Sequence, residues 1–286
     1  HNSIMKKVLA LSGIILLYPM LSFSSGPDSS KKNSKKKIHT KKALYELGIG
    51  AGGGNISDYP ASDQSRIKSI YFPSFIYRGK ILKNDNKGTR ALFYESENTS
   101  IDLSFAASFP ANSKQNKARE NMQNLDWLAE MGPRINYTLY NKDGLIIELE
   151  LPYRFVLSTD FSFTRERGQR ISPQIDLVKN LTNKLQIKFS AKLNWANETL
   201  NDYFYQVNSS DVTEVRERYN AKEGYIGNNI STFLVYKGFQ VFSIFGVQHS
   251  NYQGSANENG PLYRVHSNTS FFMAFNFFFF KSKKTI

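Results

Sequence analysis

The sequence predicts an all-β fold: a transmembrane antiparallel up-and-down β-barrel of about twelve strands, with short periplasmic turns and long external loops. Three observations carry the prediction. Segments along the chain alternate apolar and polar residues with a two-residue period. The connections between them alternate short and long. An apolar segment headed by lysines stands near the N-terminus and reads as an export signal. Successive side chains of a strand point to opposite faces, so each periodic segment has one oily and one polar face. In a membrane barrel the oil meets lipid and the polar face lines the lumen.

The elements follow in chain order. Residues 1–4 read as an upstream extension or cloning scar before Met5. Residues 5–25 form the signal peptide: Lys6 and Lys7, then the apolar run from Val8 to Leu21, then small residues at Ser22 and Ser24. Residues 26–42 are a Lys- and Ser-rich leader that should be disordered. Residues 43–280 show no break in composition and read as one barrel domain, and residues 281–286 are a basic tail.

Within the barrel the clearest segment is 185–195, where Leu185, Ile187, Phe189, Ala191, Leu193 and Trp195 alternate with Gln186, Lys188, Ser190, Lys192 and Asn194. The same pattern marks strands near 45–52, 67–78, 89–96, 101–109, 127–141, 145–157, 170–180, 224–236, 239–250 and 271–279. Short turns fall at 97–98, 141–144, 180–183 and 237–238, and long loops at 55–66, 110–126, 159–169, 199–223 and 251–267. Running strand direction back from the last segment demands one more outward strand, which only Gly79–Lys83 can begin. The count is then even, with both ends in the periplasm. Trp127 and Trp195 fall at the external membrane edge, where an aromatic girdle belongs. The segment 114–126 has helix-forming residues and suits a short loop helix.

Composition excludes several functions. The chain has 286 residues and no cysteine, which removes disulfides, thiol catalysis and Cys-based zinc sites. Of the net charge of +13, all but a small remainder lies in residues 1–42 and in Lys281, Lys283 and Lys284. The near-neutral body carries no basic face of the nucleic-acid type, so no nucleic-acid partner is expected. Beyond residues 1–42 the His are His249 and His266, which make no metal constellation, and no cofactor is called for. His249-Ser250-Asn251 raises the question of a lipid A or phospholipid hydrolase. Adjacent strand residues point to opposite faces, which argues against this His and Ser as base and nucleophile and leaves such a hydrolase the least favoured alternative.

Six charged residues share the lumen phase of neighbouring strands: Glu148, Glu150, Arg154, Asp176, Lys188 and Lys192. Cross-strand pairing among them would give a salt-bridged lining. Left open, they would form a selectivity surface for a small anionic or zwitterionic solute.

Three motifs carry a family resemblance. Tyr59-Pro60-Ala61-Ser62-Asp63 with Arg66, followed by Tyr77-Arg78-Gly79, is similar to a "Y-x-G-S-D…R" loop and a "P…YRG" strand; the Gly-rich segment 48–54 precedes it. Asp202-Tyr203-Phe204-Tyr205-Gln206-Val207 is similar to "DYFYGV", and Gly260-Pro261-Leu262 to "SPLV". In this order they resemble the MipA/OmpV family of outer-membrane proteins, named for a MltA-interacting protein. Ala61 and Gln206 stand where that family often has Gly. The resemblance implies a non-enzymatic barrel in the bacterial outer membrane, in contact with its lipid. It also implies a scaffold for a lytic transglycosylase and a peptidoglycan synthase. The alternative is a narrow channel for small polar solutes.

Overall fold

A computed structural model describes residues 43–78, 82–85 and 88–284. The segments read as signal peptide and leader, and Gly79, lie outside the described residues. Thirteen strands form one antiparallel sheet. They are β1 (Tyr45–Ser57), β2 (Ser65–Arg78), β3 (Leu82–Asp85), β4 (Gly88–Glu95), β5 (Thr99–Ser108), β6 (Trp127–Lys142) and β7 (Leu145–Thr159). There follow β8 (Thr164–Ile171), β9 (Gln174–Asn180), β10 (Leu185–Ala196), β11 (Gly224–Lys237), β12 (Val241–Asn251) and β13 (Ser267–Lys281). Apart from β8 and β9, which do not pair with each other, each strand pairs with its sequence neighbours, and β13 returns to pair with β1, which closes the barrel. Closure pairs the backbone polar groups that hydrocarbon would leave unsatisfied, except along the seam where the short β3 and β4 stand between β2 and β5.

β8 and β9 occupy one place in the ring, both lying between β7 and β10, so the barrel has twelve strand positions. This corrects the expectation of a single strand over 170–180 after a long loop at 159–169. The strand begins at Thr164, only residues 160–163 form the connection, and the break falls at Ser172-Pro173. Proline has no N–H to give a ladder. The wall is held across the break by Ser172 N–H on the Pro152 carbonyl (3.2 Å) and Leu193 N–H on the Pro173 carbonyl (3.0 Å). The tight β7–β8 connection is an Asx turn: Asp160 accepts from the N–H groups of Ser162 and Phe163, both at 2.8 Å.

The third strand forms as β3, but it meets β2 only at Tyr77↔Asn84 and Arg78↔Lys83. At the other end of the chain, Lys281 belongs to β13 rather than to a free tail, and it pairs with Glu46 at 3.3 Å.

The faces sort as membrane physics demands. Ile135, Leu149, Leu151, Phe189, Leu193, Ile230 and the β13 series Phe271, Met273, Phe275, Phe277 and Phe279 are exposed on the outer surface. Their neighbours Arg134, Glu148, Glu150, Lys188 and Asn276 are buried inside. This is a soluble protein turned inside out. At the external ends of the strands Trp127 packs with Phe109 and Phe161, and Trp195 with Tyr225. Tyr45 with Phe280 and Phe75 with Tyr77 mark the periplasmic end. No helix among the described residues is long and apolar enough to cross a membrane.

Candidate functional site

The lumen is divided lengthwise into two walls. The wall made by β5 to β10 is charged. Arg134 lies at its centre and donates from Nε and Nη2 to both oxygens of Asp102, at 3.0 and 2.9 Å. Its Nη1 reaches Glu150 at 3.0 Å. Glu150 also accepts from Gln174 Nε2 at 3.0 Å. Next along the wall, Lys188 pairs with Asp176 at 2.6 Å, and Ser190 donates to the same carboxylate. Glu148 accepts from Thr138 Oγ1 at 3.4 Å. Nearer the outside, Arg170 pairs with Glu130 at 3.0 Å, Arg154 donates to Ser104 Oγ at 3.1 Å, and Lys192 lines the space beside them.

All six lumen residues singled out from the sequence therefore face inward on this wall. The hub Arg134 and its partner Asp102, with Glu130 and Arg170, were not among them. Asp102 and Arg134 carry the same signal, a charge on the polar phase of a strand. Which strands share a wall is a matter of ring order.

The opposite wall, from β11 to β13 and on to β2, is aromatic and aliphatic. Ile76, Phe233, Val235, Phe242, Ile244 and Phe278 pack together inside the lumen, with Phe272 and Ala274 against them. Glycines facing inward make the room. A Cβ at Gly50 would strike Asn276 and the Phe72 ring, one at Gly48 the Phe277 carbonyl, and one at Gly246 the Phe233 ring.

The external loops fold inward over the mouth and share one hydrophobic core with the rim of the inner wall. Tyr59, Leu125, Leu200, Phe204, Tyr205, Val207 and Leu262 come from four different loops and pack on Leu128, Val156, Ala196 and Ile226 of the wall. The motif residues build this plug. Asp58, buried, holds Arg66 at 3.2 Å and Lys68 at 3.8 Å, and accepts from Asn116 at 3.0 Å. Ser62 accepts from Asn116 Nδ2 at 3.2 Å and from Gln64 N–H at 3.1 Å. Ala61 has φ of 63°, the left-handed region that favours Gly, which is the physical reason for Gly at that place in the resembled family. Its carbonyl takes the N–H groups of Arg264 and Val265, which seats the last loop. Asp63 meets Arg264 at 3.7 Å near the surface.

The helix α1 (Glu198–Tyr205) drops Leu200, Phe204 and Tyr205 into the core. Its N-cap Asn197 accepts from Leu200 N–H at 3.3 Å and from Gln169 N–H at 2.9 Å, which ties the helix to β8. Tyr203 accepts from Asp126 N–H at 2.6 Å and carries the Arg167 guanidinium over its ring. Asp202 is half-buried on the same helix; burial and Glu198 raise its carboxyl pKa. Gln206 accepts from Ala221 N–H at 2.9 Å, a bond that Gly could not make. Pro261 precedes the fully buried Leu262. Tyr77 and Arg78 lie at the far, periplasmic end of β2.

Two plug residues escaped sequence reasoning. Arg119 is buried beside the Tyr59 ring and donates to the Phe204 carbonyl at 2.8 Å; burial lowers its pKa against the pull of Tyr59. Arg216 binds the carbonyls of Asp211, Ala118 and Glu120 at 2.7–3.1 Å. In a long loop no periodicity exists to expose such clamps. The expected helix in 114–126 is instead two 3₁₀ turns, 113–115 and 117–119.

His249 lies outside, against Thr269 Oγ1 at 3.1 Å, whereas Ser250 is buried inside and accepts from Asn229 at 2.6 Å. The pair is split across the wall. No group of His, Asp and Glu among the described residues could hold a metal ion. Between plug and aromatic wall lies a cavity of about 390 Å³. It is reached by Tyr59, Phe204 and Tyr252 from the plug, and by Arg154, Lys192 and Phe272 from the walls.

The sequence matches one family model, described as MltA-interacting protein MipA, over residues 49–279. No curated protein matches it. Among solved structures, an outer membrane channel from Pseudomonas putida F1 is similar at 10% identity and a TM-score of 0.47, over 87% of this chain and 100% of that one. The NanC porin is similar at 12% identity and a TM-score of 0.40, over 80% and 98%. A FadL homologue from Pseudomonas aeruginosa is similar at 7% and 0.32, over 84% and 91%.

Proposed function

The chain belongs to the MltA-interacting protein MipA family, and on that premise we propose that this outer-membrane barrel is a non-enzymatic envelope scaffold. Its partners are a lytic transglycosylase and a peptidoglycan synthase, met at the periplasmic rim. The observation that carries the reading is the covered mouth. A porin keeps a water path through its lumen, whereas here four loops are cemented into one apolar core over the opening. What the barrel then offers is a fixed place in the membrane and a rim. That rim is basic: Lys142, Lys184, Lys283 and Lys284 are exposed on the turns and terminal segment, with Lys179 and Lys281 beside them. A soluble partner with an acidic face, or an anionic polymer, complements it.

Two measurements on the full chain test the proposal. In planar bilayers the purified barrel is expected to show no sustained conductance, and steady single-channel openings would overturn the scaffold in favour of a channel. A purified lytic transglycosylase of the MltA type is expected to co-elute with the barrel at low salt and to separate at high salt. Failure to associate at low salt would remove the partner assignment.

A further inference from the structure

The scaffold reading leaves the lumen cavity unused, and its lining is unusual. Arg154 on β7 and Arg170 on β8 are direct register partners. Like charges directly opposite on adjacent strands are destabilising. Lys192 on β10 lines the same space, so these three cations gather around one acid, Glu130, while the rest of the cavity lining also holds Asp58, Asp126, Glu150 and Lys188. Neither Arg154 nor Lys192 makes an ion pair among the described residues. Arg170 Nε and Glu130 Oε2 are buried without a hydrogen-bond partner. Deeper in the lumen the charges cancel, through Arg134 with Asp102 and Glu150 and Lys188 with Asp176. The excess of positive charge is thus local to the patch of Arg154, Arg170 and Lys192 on one side of the cavity.

Across the cavity Ile70, Phe72, Phe233, Ile244 and Phe272 give an apolar surface, with Ser231, Ser270 and Asn276 between them. A cationic patch facing an aromatic wall suits a ligand with an anionic head and an apolar tail, better than a sugar or an inorganic ion. The volume, about 390 Å³, lies in the range of about 300–1,000 Å³ usual for small-molecule sites.

The wall beside the cavity is also incomplete. β4 engages β5 only between Ser100 and Leu103, and β2 engages β3 only at Tyr77 and Arg78. Among the described residues, β2 from Ser65 to Ile76 and β5 from Ser104 to Ser108 have no ladder partner on the sides that face this gap. Ile70 and Phe72 from one of these edges and Ala106–Ser108 from the other line the cavity.

We propose that the lumen binds a single-chain amphiphile with an anionic head. The head sits among Arg154, Arg170 and Lys192, the tail lies along Phe72, Phe233 and Phe272, and the ligand enters from the membrane between β2 and β5. This does not depend on the scaffold reading.

The test uses the full chain in phosphatidylcholine nanodiscs, with radiolabelled dodecanoate and dodecyl phosphate as probes and dodecanol and butyrate as controls. One saturable site is expected for at least one of the two anionic amphiphiles, and the tighter of them identifies the head as carboxylate or phosphate. Dodecanol and butyrate should each bind weaker by roughly tenfold or more, since each lacks one half of the recognition. The double variant Arg154→Gln, Lys192→Gln should lose roughly tenfold in affinity without a fall in unfolding temperature, because it relieves repulsion. Should that variant unfold early, Phe272→Ala carries the test and should weaken dodecanoate while leaving butyrate unchanged. The proposal fails if binding does not exceed that of empty nanodiscs, if dodecanol matches the anions, or if folded variants bind as the parent does.

Discussion

Arg134 shows how much one side chain can decide. It is buried with two carboxylates, Asp102 and Glu150, and satisfies both. Removing one partner of a buried ion pair leaves a charge uncompensated, at a cost of about 3–5 kcal/mol. Arg134→Met should therefore lower barrel stability by that order, read as an earlier loss of the compact band on gel electrophoresis over a denaturant series. The plug tyrosines make a second prediction. Burial raises the phenol pKa of Tyr59, Tyr205 and Tyr252, and burial and Glu258 push Tyr263 up to about 12. A raised folded pKa favours the neutral form. Its stabilisation is complete below the ordinary tyrosine value of about 10 and is lost as pH climbs through the raised values. The loops should stay closed up to about pH 10 and release above it. Tyrosinate absorbance should rise together with a change in fluorescence of Trp127, which adjoins the Asp126–Tyr203 bond. Release at neutral pH would contradict the assignment.

Among the elements, β1 and β12 are chosen for what they lack. Gly246 faces inward and yields its space to the Phe233 ring, whereas its neighbour Val247 faces out. Gly246→Val overpacks the lumen and should cost about 1–3 kcal/mol. Val247→Leu, facing lipid, should be near neutral in the same unfolding assay. The helix α1 depends on Asn197, which caps it and also holds Gln169. Asn197→Ala should cost about 1 kcal/mol and loosen the loop, measured as faster amide hydrogen exchange over 198–205. Equal exchange in variant and parent would show that the core alone seats the helix.

For the whole molecule, covering of the mouth is a property of loops and not of strands. The barrel wall surrounds a lumen, and the shared core that includes Tyr59, Phe204, Tyr205 and Leu262 covers it from outside. Replacing residues 199–222 with a short Gly-Ser turn removes α1 and the Arg216 clamp together. The trimmed barrel is expected to conduct in planar bilayers where the parent does not. Silence of a folded trimmed barrel would mean that the lumen side chains block the path unaided. The gap between β2 and β5 is likewise a whole-molecule feature, since it arises from two strands too short for the wall they complete.

The sequence by itself determined the barrel, its inside-out faces and the place of most strands. Each of these rests on a two-residue period and on turn length, which are local. Leu185–Trp195 reads as a strand with Lys188 inward whatever its neighbours are. The tertiary structure decided three further matters. It decided which charges meet, because Arg134 reaches Asp102 and Glu150 only through ring order. It decided that loops lacking any period fold into one core, with Arg119 and Arg216 as clamps. It also decided that Arg154 faces Arg170, because the break at Pro173 gives the ring position two strands with registers of their own. Local patterning places a side chain on a face of the wall; its partners across the lumen are set by closure, and closure is not a local property.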